Sequence, residues 1–308
     1  MKKILVTGGA GFIGTNLLYF ILERSKKSEI VVLDNFHNAI SNDIHNHPRV
    51  RVIKGDVRVL TDIKKSLKGV DACVHLAAAT DVRKSIKNPG QHIEENVMGA
   101  LNVLNTCKDY NIKRIVFASS NATLGVQSPP ITESMVPKPI SPYGVSKLFG
   151  EMMADVFNDL YGMSIISLRF SNVYGLYSEN KTSVITTFIK NILQQKPIIV
   201  YGNGKQTRDF IYVQDICNAI YLSIKNPSAK GVLQIASGKE ISIIDLLKML
   251  KTITGREIKL EYHLARKGEI KRNYSKIIKA RRVLSYRPSV DLYDGLIKTY
   301  YYFLKYFK

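Results

Sequence analysis

The sequence predicts an α/β protein: a doubly wound parallel sheet with a smaller, partly discontinuous C-terminal lobe. Three observations predict it. Short runs rich in Val and Ile alternate with amphipathic stretches through residue 119. The first run opens directly onto a cluster of glycines, and after about residue 175 the rhythm changes. At 308 residues the chain can hold one large domain carrying a smaller one.

The elements follow in order. KILVT (3–7) is β-rich, and after the glycines FIGTNLLYFILER has apolar residues at helical spacing. EIVVLD (29–34), VRVIKGDV (50–57), DACVHLA (71–77) and RIVFAS (114–119) are short and apolar, with polar bounds. LTDIKKSLKG and NVMGALNVLNTCKDYN supply helices between the later ones. Strands alternating with helices mean βαβ units, right-handed crossovers and a sheet covered on both faces. Beyond residue 175, ENKTSVITTFIKNILQQK (179–196) reads as one helix, followed by the strand PIIVYG. IYVQDICNAIYLSIKN is a strand-to-helix step, SIIDLLKMLKTITG (242–255) a helix and EIKLEYH (257–263) a strand. The tail, LYDGLIKTYYYFLKYFK, is a helix whose aromatic face is expected to pack on the second lobe.

Composition excludes several classes. Apolar residues make up 45% and charged ones 23%, which rules out disorder, collagen and coiled coil. Lys plus Arg number 45 against 25 Asp plus Glu, a formal charge of +20. The excess Lys is scattered without a run of five like charges, so a solvated basic surface is expected rather than a nucleic-acid partner. Cys73, Cys107 and Cys217 are an odd number without a CxxC pair, each in an apolar stretch, as in a reducing cytoplasm. No apolar run approaches the length of a membrane span, and Gly8, Gly9, Gly11 and Gly14 interrupt the N-terminal one.

The glycines carry the first chemical signal. Gly8, Gly11 and Gly14 directly follow a strand and open a helix, the context in which a glycine triplet binds a dinucleotide. Gly8 allows the tight turn, Gly11 lets backbone approach a pyrophosphate, and Gly14 permits close helix–sheet packing. Asp34 ends the second strand, where a carboxylate accepts ribose hydroxyls, and LDNF places no Arg beside it, which favours NAD over NADP. Asp56 follows the third strand, either to reach the adenine amine or to cap its loop.

A second signal is Tyr143-Gly144-Val145-Ser146-Lys147 at the start of a helical stretch. Residues four apart share a helix face, so phenol and ammonium can converge. A cation beside a phenol is expected to lower its pKa toward the working range of a proton-transfer group. Ser119 and Ser120 end a strand that should lie beside the cofactor.

TGGAGFIG, Asp34, Asp56, His75-Leu76-Ala77-Ala78, Ser120 and YGVSK together resemble the extended short-chain dehydrogenase/reductase family. LRFSNVYG (168–175) and GNGKQTRDFIYVQD (202–215) narrow the resemblance to its NAD-dependent nucleotide-sugar epimerase/dehydratase branch, UDP-glucose 4-epimerase-like enzymes included. It implies an NAD-binding Rossmann domain over 1–175, with 211–236 returning to it, and a nucleotide-sugar-binding lobe over 176–308. It implies Tyr143 as general base for the sugar 4-hydroxyl, Lys147 as the group that lowers its pKa and holds the nicotinamide ribose, and Ser120 as a hydrogen bond to the same sugar oxygen. A transient 4-keto intermediate follows. The cofactor positions are then Gly8, Gly11, Phe12, Ile13, Gly14, Asp34, Asn35, Asp56, Val57, Leu76, Ala77, Ala78, Asn96, Ser119, Tyr143, Lys147, Phe170 and Val173. Homodimerisation is a further implication of the resemblance.

Family dehydratases carry an Asp-Glu pair just after the hydroxyl residue and decarboxylases a Glu; here those places hold Asn121 and Ala122. Neither exchanges a proton near neutrality, so 4-epimerisation of a UDP-sugar leads, with uronate decarboxylation, 4-ketoreduction or dehydration as the alternatives. For the substrate, Arg208 and Arg266 match diphosphate-gripping arginines, Tyr201 a ring on uracil, Asn172 a phosphate contact, and Thr80 and Asn121 border the sugar. Asn273 stands at a gate that is bulky in strict glucose/galactose epimerases, leaving UDP-N-acetylglucosamine open. A UDP-hexuronate is equally open, since Arg83, Lys84, Lys181 or Arg272 could meet a carboxylate.

Overall fold

The computed structural model describes residues 2–40, 42–265 and 270–307. From the N-terminus run β1 (Lys3–Thr7), α1 (Phe12–Arg24), β2 (Glu29–Asp34), β3 (Val50–Lys54), α2 (Leu60–Ser66) and β4 (Ala72–His75). Then come α3 (Val82–Lys87), α4 (Pro89–Ile93), a π-helical turn (Glu94–Met98), α5 (Gly99–Asp109), β5 (Arg114–Ser120), α6 (Pro142–Tyr161) and β6 (Ser164–Phe170). The second half supplies β7 (Asn172–Tyr174), α7 (Val184–Leu193), β8 (Ile198–Tyr201), β9 (Thr207–Arg208), β10 (Phe210–Tyr212), α8 (Val213–Lys225) and β11 (Gly231–Ile235). It ends with β12 (Ile241–Ser242), α9 (Ile243–Thr254), β13 (Leu260–His263), α10 (Ile278–Leu284) and α11 (Leu292–Tyr306).

Seven strands form one parallel sheet in the order β3-β2-β1-β4-β5-β6-β11. The side chains of the central strands β1, β2, β4, β5 and β6 are mostly buried on both faces because helices cover both, as the uninterrupted Val/Ile runs require. On one face the core joins α1 and α8 to the sheet through Leu17, Ile21, Ile216 and Ile220. On the other, α2, α5 and α6 pack Ile63, Val103, Leu104 and Phe157 around Val31, Cys73 and Phe117. The order reverses between β1 and β4, and a doubly wound sheet opens its ligand crevice at such a point.

A third apolar cluster holds α7, α9, α11, β8 and β10 together, with Phe188, Leu246, Leu296 and Phe303 at its centre. The aromatic tail packs there, burying Leu296, Tyr300 and Phe303. The helix expected over 179–196 is shorter than its apolar periodicity suggested. Ser183 is extended, so α7 starts only at Val184, and Lys190 reaches back to donate to the Glu179 carbonyl. The strand expected over 257–263 starts only at Leu260, where pairing with β8 begins. All three cysteines are buried free thiols, and no helix of the described residues is long and apolar enough to cross a membrane.

Candidate active site

The glycine turn lies at the switch point. Gly8 adopts φ +70° and its amide donates to the Leu33 carbonyl, tying the turn to β2. A Cβ on Gly8 would lie 2.6 Å from Ala77 N, so the turn abuts the end of β4. Gly14 differs from expectation. A Cβ there would meet Gly8 O at 2.3 Å and Gly9 Cα at 2.6 Å, so Gly14 lets the helix pack on its own turn, not on the sheet. A Cβ on Gly11 would meet only Gly8 O, at 3.4 Å, so this side of the turn faces open space.

Gly11 caps α1 without a side-chain cap, no acid stands in the first turn, and the first amide bond runs from Thr15 to Gly11. The amides of buried Phe12, half-buried Ile13 and Gly14 thus have no acceptor in the helix, which suits an anion. Asp34 accepts from the Ala10 amide at 2.9 Å and the Phe36 amide at 2.7 Å, placing its carboxylate beside the turn. These features fit a dinucleotide: open amides for a pyrophosphate and a carboxylate for ribose hydroxyls.

Asp56 is held by Arg58 through Nε and Nη2, at 2.9 and 2.8 Å, and by Asn35 at 3.0 Å. The guanidinium holds this carboxyl well below the usual carboxylate range. Val57 is buried beneath Gly99. At the end of β4, the Leu76 amide donates to Thr7 O, and the Ala77 amide to Thr7 Oγ1, while Ala78 is half-buried beside them. Asn96, in the π-helical turn, brackets Ala79 by accepting from its amide at 2.8 Å and donating to its carbonyl at 3.0 Å. Its amide is therefore spent on fixing the loop after β4.

Ser141 caps α6, Pro142 occupies its first turn, and a Cβ on Gly144 would lie 2.4 Å from Ala122 O. That close approach brings Tyr143 to Ser120 at the end of β5. Lys147 follows one turn later; its Nζ donates to Ala118 O at 2.9 Å and lies 6.0 Å from the Tyr143 ring centroid. Burial pushes Lys147 down to about 8, with Glu151 acting to raise it and Lys181 to lower it. The Tyr143 phenol departs from the expected lowering. Burial pushes it up, and Ser120 rather than Lys147 is the group that works against this. The lysine's ammonium is engaged by the Ala118 carbonyl and lies within cation–π range of the Tyr143 ring.

Ser119 turns the other way. Its hydroxyl donates to Glu151, which also binds Arg169 in a buried ion pair. Phe170 is buried at the end of β6, in register with Ser120, and Val173 is half-buried in β7. On the sugar side, Asn172 is exposed and its side chain donates to Asp209 O at 3.1 Å. Thr80 accepts from Lys181 Nζ at 2.8 Å. Asn121 donates to Ser275 Oγ at 3.1 Å, while its Oδ1 and that of buried Asn273 are without hydrogen-bond partners among the described residues. Tyr201 meets the His263 ring edge-on at 5.9 Å, and Arg208 donates to the Ile270 and Thr207 carbonyls. Arg266 lies outside the described residues.

Several residues to which the sequence assigned no role shape this site. Thr7 joins β1 to His75 at 2.8 Å, and burial pushes His75 down to about 3, so the ring stays neutral. Ser85 accepts from the Tyr143 amide at 3.3 Å, and His92 packs edge-on against its ring. Asp209, buried, accepts from Ser237, Gly238 and Ser275 and so holds the strand that carries Arg208. Only Glu151 left a usable signal, repeating the four-residue step from Tyr143 to Lys147.

The parallel sheet with its glycine turn, and the Ser–Tyr–Lys group at its crevice, define a dinucleotide-dependent enzyme of the extended short-chain type. The chain belongs to the NAD dependent epimerase/dehydratase family, whose model matches residues 4–236. It is 37% identical over 300 residues to a Methanocaldococcus jannaschii protein named as a proposed UDP-glucose 4-epimerase, covering 95% of each chain. The UDP-N-acetylglucosamine 4-epimerase of Methanobrevibacter ruminantium, solved with UDP-N-acetylmuramic acid, superposes with a TM-score of 0.93 at 32% identity over 99% of both chains. The UDP-glucuronic acid 4-epimerase of Bacillus cereus, solved with UDP-glucuronic acid and NAD, superposes at 0.90 with 31% identity, again over 99% of both.

Proposed function

We propose that the chain is an NAD-dependent UDP-sugar 4-epimerase. The observation that carries this is the convergence of Ser120, Tyr143 and Lys147 at the crevice while the segment after Ser120 offers only Asn121, Ala122 and Thr123. Oxidation and re-reduction at one carbon need a single proton-transfer group; elimination or decarboxylation would need more acid–base chemistry. NAD bound in the crevice supplies the hydride acceptor and donor that interconverts hydroxyl and ketone at sugar C4. Tyr143 takes and returns the hydroxyl proton, Ser120 holds the same oxygen, and Lys147 holds positive charge beside the phenol and binds the nicotinamide ribose.

The first-turn amides of α1 and Asp34 hold the pyrophosphate and adenosine ribose. Arg208, Arg266 and Asn172 meet the UDP diphosphate, and Tyr201 the uracil. The orphaned acceptors of Asn121 and Asn273 support a sugar between them, since buried polar atoms are normally paired. In this reading residues 1–175 with 211–236 form the NAD-binding domain and 176–308 the nucleotide-sugar lobe. The buried free thiols suit a reducing, cytoplasmic setting.

The protein acts as a homodimer in this proposal. Val145, Met152, Val156 and Leu160 form an exposed apolar stripe on α6, a length of surface that a second copy would cover. Sedimentation equilibrium of Leu160→Asp should give a monomer; an unchanged mass would remove α6 from the interface.

The deciding experiment incubates the protein with catalytic NAD and individual UDP-sugars, resolving C4 epimers by chromatography while following NADH absorbance. An epimer pair at equilibrium with no net NADH is expected. Carbon dioxide release or stoichiometric NADH consumption would replace epimerisation with decarboxylation or ketoreduction.

A further inference from the structure

Four cations stand near enough in sequence to the sugar-binding segments to meet an acidic substituent, and the structure separates them. Arg272 is neutralised by Glu240 through a bidentate pair, Nε to Oε1 at 2.7 Å and Nη2 to Oε2 at 2.8 Å. Arg83 and Lys84 are exposed on α3. Lys181 differs from all three. It lies in the segment between β7 and α7, and its ammonium reaches across to the loop after β4 to donate to Thr80 Oγ1 at 2.8 Å. Among the described residues no carboxylate lies within ion-pair distance of it.

We propose that Lys181 is a specificity-determining residue that binds a carboxylate on the sugar, making an acidic UDP-sugar the preferred substrate. The proposal rests on the epimerase reading above and adds the class of sugar. A hydroxyl is a weak partner for the ammonium of a half-buried lysine, and a cation partly withdrawn from water is normally matched by an anion. Lys147 is near enough to Lys181 to repel it, and burial together with this repulsion works against an unpaired ammonium, a cost that an incoming carboxylate would relieve. The one acid that acts on Lys181 is Asp81, whose Oδ1 caps α3 by accepting from the Arg83 and Lys84 amides and which lies beyond ion-pair distance of the lysine. Lys181 thus presents an ammonium with no ion-pair partner among the described residues, held between the loop after β4 and the segment after β7. The nucleotide diphosphate belongs with Arg208 and Asn172, so the unmatched charge falls to the sugar.

The test compares kcat/KM for UDP-glucuronate, UDP-N-acetylmuramate, UDP-glucose and UDP-N-acetylglucosamine in the full-length protein with NAD, and repeats it for Lys181→Gln and Lys181→Arg. The native protein should favour an acidic sugar over its neutral counterpart. Lys181→Gln should cut that acidic-to-neutral ratio about 100-fold, mostly through KM, because the bound carboxylate loses its ion-pair partner. Lys181→Arg should restore part of the ratio. Which acid is faster tells whether the carboxylate sits at C6 or on a C3 lactyl group.

A neutral sugar preferred by the native protein, or a ratio unmoved by Lys181→Gln, overturns the proposal; the second result would assign the lysine to the diphosphate shared by all four. If no sugar is interconverted, the epimerase reading fails separately. Calorimetric Kd values for the same sugars, measured on Tyr143→Phe protein with and without Lys181→Gln, then decide the matter without turnover. Binding selectivity lost with the lysine upholds its role, and equal selectivity in the two proteins ends it.

Discussion

Glu151 and Arg169 meet in a bidentate ion pair one helical turn beyond Lys147, Nε to Oε1 at 2.8 Å and Nη2 to Oε2 at 2.7 Å, both side chains 3% exposed. The pair bolts α6, which carries Tyr143, to β6, the neighbour of the strand β5 that carries Ser120. Its carboxylate is also the group that raises Lys147 against the pull of burial. One buried acid therefore serves both the framework and the charge of the site.

Removing one partner of this pair leaves the other charged and buried. Arg169→Met should lower unfolding free energy by about 3–5 kcal/mol, while Glu151→Met/Arg169→Met should recover much of the loss. Urea denaturation of the three proteins checks this. Equal losses in single and double variants would show that packing, not charge, holds the contact.

Lys147 titrates near 8 in the folded protein and 10.5 when solvated. Below about 8 the folded lysine carries its charge at a cost. Between about 8 and 10.5 the unfolded chain holds more protons than the folded one, so this group's contribution makes stability rise with pH. Lys147→Met should therefore be more stable than the native protein at pH 7, on the order of 3 kcal/mol, and the gap should close as pH climbs through that window. Tm measured across pH checks it. A gap that widens with pH would mean that the hydrogen bond to Ala118 outweighs the buried charge.

Gly11 and Gly14 should fail in different ways. A Cβ on Gly11 meets nothing nearer than 3.4 Å, so Gly11→Ala should keep its Tm and lose about tenfold or more in NAD affinity, the methyl occupying the space a phosphate needs. Gly14→Ala places a Cβ 2.3 Å from Gly8 O and should unfold more readily. Calorimetry with NAD and thermal melts separate the two. A fall in Tm for Gly11→Ala equal to that of Gly14→Ala would refute the distinction.

Tyr143→Phe removes only the hydroxyl of a buried ring that packs against His92. Turnover should fall by about 10²–10⁴-fold with Tm and NAD affinity nearly unchanged, as for loss of a general acid–base group. Retained turnover would transfer the proton-handling role elsewhere.

How far the sequence could be read depends on the range of the interaction. The glycine turn, Asp34 and the Tyr143–Lys147 spacing are local patterns, and strand periodicity predicted the layers of the sheet. Ser119 was misleading because neighbouring residues on a strand point to opposite faces: Ser120 turns to Tyr143 and Ser119 to Glu151. The Glu151–Arg169 pair and the Lys181–Thr80 contact join residues distant along the chain, which periodicity cannot report. The start of α7 was missed for a related reason. Residues 179–183 look helical in composition, but the Glu179 carbonyl is taken by the Lys190 ammonium, its carboxylate accepts from the Tyr302 hydroxyl, and the Lys181 amide turns back to the Ser178 carbonyl.

The last strand of the sheet, β11, joins β6 only after an excursion of about sixty residues that builds β7 through α8, and closing a loop of that length is entropically costly. Until it closes, β6 is an open edge with an unpaired row of backbone donors and acceptors. A nascent or truncated chain ending near Phe170 would present that edge to other copies of itself. By pairing with β6, β11 closes that edge, so the last strand to join the sheet is also the one that guards it against self-association.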